Sequence, residues 1–318
     1  MKEKIKTNGL PISRPTPAYT PQRKTPHSYM VWYLGGISFS QSGFIASAAL
    51  MLGLLCSSAS AMCSVMNPQS ENQRQITKIP APDTRANKIT VAQGITYENL
   101  RLYESNIHIL RIDLNEIEYW QITPESQRGK SSLEHATMNG ATVAINGSFF
   151  DGYYNPRGHT VSNLQKWSKV LYAESSPFIA CKANNVCSID HEGQEDPDDL
   201  WVNAVGGQHS LITAGKVRSR SEERECGGFC NYRHPRTAIG LTKDQKTLII
   251  ILAEGRRSTS VGVRLFELAR IFERENTYDA FNLDGGGSTT LVIDGQLKTA
   301  LQSGKRNPRR VSNSLLFF

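Results

Sequence analysis

Apolar residues recur at helical spacing most clearly in one stretch of this 318-residue chain, RLFELARIFERE at 264–275, where Leu265, Leu268, Ala269, Ile271 and Phe272 share a face. Most of the rest that could build a core has the period of a strand. GITYENLRLYES and NIHILRIDLNEIEYWQIT read as paired strands, and RTAIGLT and KTLIIILAE as a second pair across the turn KDQK. Residues 176–180 and 186–189 flank the turn KANN and predict a hairpin. ATVAINGSFF reads as a buried strand entering a loop and 133–139 as a short helix, with AFNLD, TTLVIDG and VSNSLLFF as further strands. Residues 190–199 and 218–232 read as polar loops. Such an order predicts an α+β fold, a single strand-rich domain over 89–318 with a mixed sheet and few helices.

The segment before that domain has a different composition. Residues 1–30 are basic and proline-rich, FIASAALMLGLLC at 44–56 carries no charge, and SSASA follows with the small residues Ala59 and Ala61. Residues 1–61 therefore read as a basic leader with a signal peptide cleaved after Ala61, or as an uncleaved N-terminal membrane anchor, the apolar run being short for a span of ~20 residues. Residues 62–88, rich in Asn, Gln and Pro, read as a polar linker. Either reading places the domain outside the cytoplasm: periplasmic or secreted, or membrane-anchored.

Export changes how the cysteines are read. Cys181, Cys187, Cys226 and Cys230 fall into two close pairs, which predicts disulfides in an oxidising compartment, 181–187 with 226–230 being the most local of three connectivities. Neither spacing is the C-x2-C of a zinc site, so no metal and no cofactor are predicted, although carboxylates and carbonyls can hold Ca2+ without a motif. Much of the +7 formal charge lies in the leader. Arg256 with Arg257, and Lys305, Arg306, Arg309 and Arg310, form basic clusters that could meet phosphate, although Lys305 and Arg306 read better as a solvated face. With no nucleic-acid motif present, nucleic acid is not an expected partner.

Three segments carry chemistry. In NLDGGGSTTLVIDG, 282–295, an acid ends an apolar strand and three glycines follow, each costing roughly 0.5–1 kcal/mol relative to a better-behaved residue. An ordinary hairpin needs only two turn residues, so the run predicts an anion or sugar cradle: backbone N–H groups of Gly285, Gly286 and Gly287, hydroxyls of Ser288 and Thr289, and Asp284 at the edge. Asn146-Gly147 ends the strand ATVAI, either as an amide for hydroxyl ligands or as a simple Asn-Gly turn. HPRTAIGL and LAEGRRS place Arg236 and Glu254 at strand ends, Arg236 suited to forking onto phosphate oxygens and each otherwise a surface charge.

In chain order, AINGSFF, RTAIGL, an acid-glycine pair ending a strand, LFELARIFE, NLDGGGST and PRRVSN resemble the phosphodiester glycosidase family. The resemblance assigns functional positions to Asn146, Gly147, Arg236, Glu254, Gly255, Asn282, Asp284 through Ser288, Arg310 and Asn313. It implies a hydrolase that cleaves a sugar-1-phosphodiester at the glycosidic bond, with an envelope polysaccharide or glycoconjugate as substrate. Asp284 would be nucleophile or base with Glu254 its partner, Arg236 and the glycine cradle would hold phosphate, and Asn146 would meet sugar hydroxyls. At 254 the family more often has Asp, so the carboxylate here reaches one methylene further. Two other functions fit the same residues: a phosphodiesterase breaking the P–O bond, and a non-catalytic glycan-binding envelope protein.

Overall fold

The structure, a computed structural model, describes residues 87–171, 176–192 and 200–318. The leader, the cleavage point after Ala61 and nearly all of the linker lie outside the described residues. No helix among the described residues is long and apolar enough to cross a membrane.

One large sheet organises the fold. Its eight strands run in the spatial order Asn87–Ala92, Ile95–Leu102, Ser105–Asp113, Thr247–Ala253, Arg236–Thr242, Thr277–Asn282, Gln208–Thr213 and Lys216–Val217. Period-two alternation sends its side chains into two cores. From the neighbouring strands 105–113 and 247–253, Ile107, Ile109, Ile249 and Ile251 meet the helix Leu265–Arg274 through Leu268, Ile271 and Phe272. Leu110, Ile112, Ile250 and Leu252 point the other way and meet Val143, Ile145, Ile179, Leu315 and Phe317 of two smaller sheets. Burial on both faces explains why TLIIILA reads as one apolar run.

The first smaller sheet orders Gln296–Leu297, Leu291–Ile293, Val143–Asn146, Ser314–Phe317 and Trp120–Ile122, and the second orders Cys187–Asp190, Phe178–Cys181, Asn203–Gly206, Thr160–Ser162 and Gln165–Lys166. The helix Ser132–Asn139, opened by a Ser131–Glu134 capping box and ended by Gly140 at φ 66°, covers the back of the first through Ala136, Ala144, Val292 and Leu316.

The strand-rich α+β expectation is met, and the helix and hairpins lie where the sequence predicts. The sheets are antiparallel in every strand ladder described rather than mixed. Parallel neighbours need a crossover of a dozen or more residues, and the main strands here are paired by tight turns such as KDQK and KANN. Residues 218–232 are not simply a loop: a 3-10 turn Arg220–Cys226 leads into a one-turn helix Gly227–Asn231. Both predicted disulfides form, Cys181–Cys187 at the mouth of its hairpin and Cys226–Cys230 around that turn.

Candidate active site

Register brings the informative strand ends to one rim. Arg236 stands opposite Ala253, Ala238 opposite Asn282, and Ser314 opposite Asn146. Glu254 therefore emerges beside the start of strand 236–242, and residues 283–290 pass from the large sheet to the smaller one. That passage is stitched at both sides: Leu283 N–H donates to Thr237 O, Asp284 N–H to Gly147 O, and Gly286 N–H to Pro235 O.

Fully buried Asn146 fastens the crossing. Its Nδ2 donates to Asp284 O at 2.7 Å, and its Oδ1 accepts from Thr237 Oγ1 at 2.8 Å and Thr290 N–H at 3.2 Å. Asn313 does the same for the neighbouring turn, accepting Ser148 N–H on Oδ1 at 2.9 Å. The amide of Asn146 thus fixes the backbone at Asp284.

A cavity of about 370 Å³ opens at this rim, with Glu254, Gly286, Gly287, Thr289, Arg256 and Arg309 in its wall. The glycine floor works differently from a bare cradle. Gly285 N–H donates to Asp284 Oδ1 at 2.8 Å, Gly286 N–H to Pro235 O and Ser288 N–H to Gly285 O, so three of its donors are engaged internally. What the glycines supply is room: Gly286 sits at φ 60°, and a side-chain carbon there would come within 3.3 Å of the Arg256 guanidinium. A side chain at Gly287 would meet Arg309, whose Nη1 donates to Ser288 Oγ at 3.4 Å.

A profile of the phosphodiester glycosidase family matches residues 139–318. The chain belongs to that family. It is 28% identical over 205 residues to bovine N-acetylglucosamine-1-phosphodiester alpha-N-acetylglucosaminidase, covering 59% of this chain and 38% of that protein. It is 27% identical to the human enzyme over 185 residues, 54% of this chain and 36% of that one, so the match spans under two fifths of either relative. The SPbeta prophage-derived uncharacterized protein YomE of Bacillus subtilis (strain 168) is 38% identical over 74 residues, 23% of this chain and 11% of its own length. The fold is shared with the zebrafish N-acetylglucosamine-1-phosphodiester alpha-N-acetylglucosaminidase catalytic domain, described as auto-inhibited by its pro-peptide, at TM-score 0.57 and 20% identity over 76% of this chain and 87% of that one. It is shared also with a hypothetical protein from Synechocystis, at TM-score 0.53 and 18% identity over 74% of this chain and 64% of that one.

Within this phosphodiester glycosidase fold the two carboxylates are tuned in opposite directions. Burial raises Glu254, yet donors to both oxygens outweigh it: His108 Nε2 at 3.1 Å and Ala300 N–H at 2.8 Å on Oε1, and Asn106 Nδ2 at 3.1 Å on Oε2. The carboxyl is held below its usual range. At Asp284 burial wins over hydrogen bonds from Ser288 and the Gly285 N–H and over the charge of Arg309, and its carboxyl is pushed up. Opposed shifts of this kind separate an ionised carboxylate from a proton carrier.

Sequence reading missed the group behind Glu254. Tyr97 hydroxyl lies 2.9 Å from His108 Nδ1 and Asn99 Nδ2 3.2 Å from the same nitrogen, so the tautomer that satisfies the network carries its proton on Nε2, toward Glu254. Burial and the charge of Glu254 push Tyr97 up to about 12, which keeps its hydroxyl a donor. A histidine between isoleucines in NIHIL, on the face shared with Leu110 and Ile112, was the available signal.

Other predicted positions lie apart from the cavity wall. Arg236 is buried, its guanidinium donating to the carbonyls of Phe229, Tyr232 and Val263 and stacking 4.6 Å over the Phe229 ring. Desolvation lowers it to about 10. Its Nε and Nη2 donors are committed to backbone, and among the described residues the cations that line the cavity are Arg256, Arg309 and Lys305. Arg310 is exposed, in a two-residue ladder against Ser131, and borders a shallow cleft with Phe150 and Tyr154 that shares Arg309 with the main cavity. Asn282 is buried, donating to Leu283 O, with its Oδ1 unpartnered. For a metal, the described residues offer His209, Cys226 and Cys230 within 4.8 Å of one another, but the cysteines are joined to each other and present no thiolates.

Proposed function

We propose that the chain hydrolyses a sugar-1-phosphodiester by breaking the bond from the anomeric carbon to oxygen. The observation that carries this is the pair of oppositely tuned carboxylates, Glu254 and Asp284, beside a cavity whose wall holds Arg256, Arg309 and Lys305. Cleavage builds positive charge at the anomeric centre and negative charge on the departing phosphate oxygen. Ionised Glu254, held by His108, Asn106 and the Ala300 N–H, faces the first. The guanidinium groups face the second and replace much of the acid assistance a sugar leaving group would need. Asp284, whose raised carboxyl makes it the stronger base once ionised, takes a proton from the water whose oxygen bonds to the anomeric carbon as the phosphate departs with the electrons of the broken bond. The names of the mammalian relatives support N-acetylglucosamine as the sugar.

The domain 89–318 would act outside the cytoplasm, periplasmic or secreted after loss of the leader or held by it as an anchor, on an envelope glycan or glycoconjugate. The two disulfides fit an oxidising compartment. Hydrolysis of an N-acetylglucosamine-1-phosphodiester in oxygen-18 water tests the bond cleaved. Label at the sugar C1 hydroxyl is the expected product, whereas label in the phosphate would replace this reading with P–O cleavage, and absence of turnover would leave a glycan-binding role.

A further inference from the structure

One wall of the cavity is the segment after strand Gln296–Leu297. It is pinned by Leu291 N–H on Thr299 Oγ1 at 3.0 Å, Ala300 N–H on Glu254 Oε1 at 2.8 Å and Arg257 Nη1 on Leu301 O at 2.7 Å. It presents Gln302, Lys305 and Arg309 to the cavity, with Arg256 entering from the large sheet. None of Arg256, Lys305 and Arg309 forms an ion pair among the described residues. A sphere of the cavity's roughly 370 Å³ is about 9 Å across, close to the Debye length of ~8 Å at physiological salt, so these charges act on one another.

The charges also exceed what the proposed bond supplies. Among the described residues Glu254 is the one carboxylate lining the cavity, against three cations, and Asp284, outside that lining, is biased by burial toward its neutral form. A phosphodiester adds a single negative charge, which the guanidinium of Arg256 beside Gly286 and that of Arg309 beside Ser288 can bracket between them. Two polar groups remain without partners: Thr289 Oγ1 and Gln302 Nε2 are shielded from solvent, accept or donate nothing among the described residues, and belong to residues in this wall. Shielded polar groups without partners cost stability unless a ligand satisfies them.

From this surplus we infer a second anion subsite, formed by Lys305 and Gln302 beside the bracketed phosphate, which takes a further phosphate group of the same substrate. The substrate class is then a sugar-1-phosphate joined to another phosphate, either directly as a diphosphate ester or through a short spacer as in a repeating phosphodiester. This deepens the proposed function and rests on it for the identity of the first phosphate.

Calorimetric titration of the full chain with inorganic phosphate, inorganic diphosphate and propane-1,3-diyl bisphosphate tests the subsite without turnover. At least one two-phosphate probe should bind about fivefold or more tighter than phosphate, as expected for one added charge-assisted contact. A lead for diphosphate marks the direct linkage, and a lead for the bisphosphate marks the spaced one. Lys305→Gln should shrink the gap to less than about twofold, and Lys246→Gln, a control for general charge on the turn at the opposite end of strand 247–253, should leave it in place. Equal affinity for all three probes, or a gap that survives Lys305→Gln, overturns the subsite. A chain that shows the lysine-dependent gap but fails to hydrolyse any sugar-1-phosphodiester would sink the glycosidase reading and keep this one.

Discussion

His108 Nε2 lies 3.1 Å from Glu254 Oε1 inside the sheet, both side chains almost fully buried, and the far nitrogen of the ring is held by Tyr97 at 2.9 Å. The parity that sends Leu110 and Ile112 between the sheets sends His108 there too, which is how a residue from the second described hairpin reaches the end of strand 247–253.

This pairing predicts a pH signature. His108→Phe removes a donor from Glu254, so the carboxyl rises toward its ordinary value and the acid limb of the pH–rate profile moves to higher pH. Loss of a hydrogen bond to a charged group, roughly 1.5–3 kcal/mol, should lower kcat about ten- to a hundredfold. His108→Gln, which keeps an N–H donor, should recover part of both effects. An unshifted acid limb in His108→Phe with lowered kcat would mean that the ring only packs.

Stability should follow the same group with a defined sign. Glu254 is depressed in the folded state, so its contribution is complete above the unfolded carboxylate value of about 4.3 and is lost as pH falls through the folded value. Glu254→Gln should therefore cost stability at pH 7 and little near pH 2, as read by urea unfolding at both. Equal costs at the two pH values would assign the loss to packing.

Asp284 has the opposite sign. Its folded-state carboxyl is raised, so the folded protein binds the proton more tightly than the unfolded chain, and stability falls as pH rises from the unfolded toward the folded value. Asp284→Asn removes that liability while keeping an oxygen for the Gly285 N–H. It should raise Tm at pH 7.5, show little difference near pH 3, and lower turnover at least about a hundredfold if the carboxylate is the base. Near-normal turnover in a stable variant would remove Asp284 from the chemistry.

Much of this fold was readable before the structure because its signals are local. TLIIILA and RTAIGLT declare a sheet buried on both faces, RLFELARIFERE declares the helix that covers one of them, and Cys181 and Cys187 bracket a turn. Strands 160–162 and 203–206 were missed because each is short and lacks clean alternation. In the site, the glycine run and the strand-end acids stood out by composition. What composition cannot tell is direction. Arg236 and Glu254 both sit at strand ends, but the turn 227–231, with its disulfide, covers the first and the cavity opens on the second. The wall after residue 298 is a polar segment with no periodicity, so its basic cluster was legible as able to meet phosphate, but nothing in it separated Lys305 and Arg309, which line the cavity, from Arg306 and Arg310.

That difference in direction separates two arginines experimentally. Arg236 donates to three backbone carbonyls and lies against Phe229, so Arg236→Lys should lose planar hydrogen bonding in a buried setting and destabilise the chain by about 1–3 kcal/mol. Its catalytic losses should be equal for a phosphodiester and for an uncharged aryl glycoside of the same sugar, because both substrates feel the same disturbed strand end. Arg309 is exposed, touches Ser288 at 3.4 Å and lines the cavity, so Arg309→Lys should leave Tm nearly unchanged. It keeps the charge but loses the bidentate fork, and kcat/KM should fall about tenfold for the phosphodiester against little change for the aryl glycoside. Parallel measurement of the two variants on the two substrates decides the matter. A phosphodiester-selective loss in Arg236→Lys would show that the turn over Arg236 opens during catalysis and that its guanidinium, not that of Arg309, receives the phosphate.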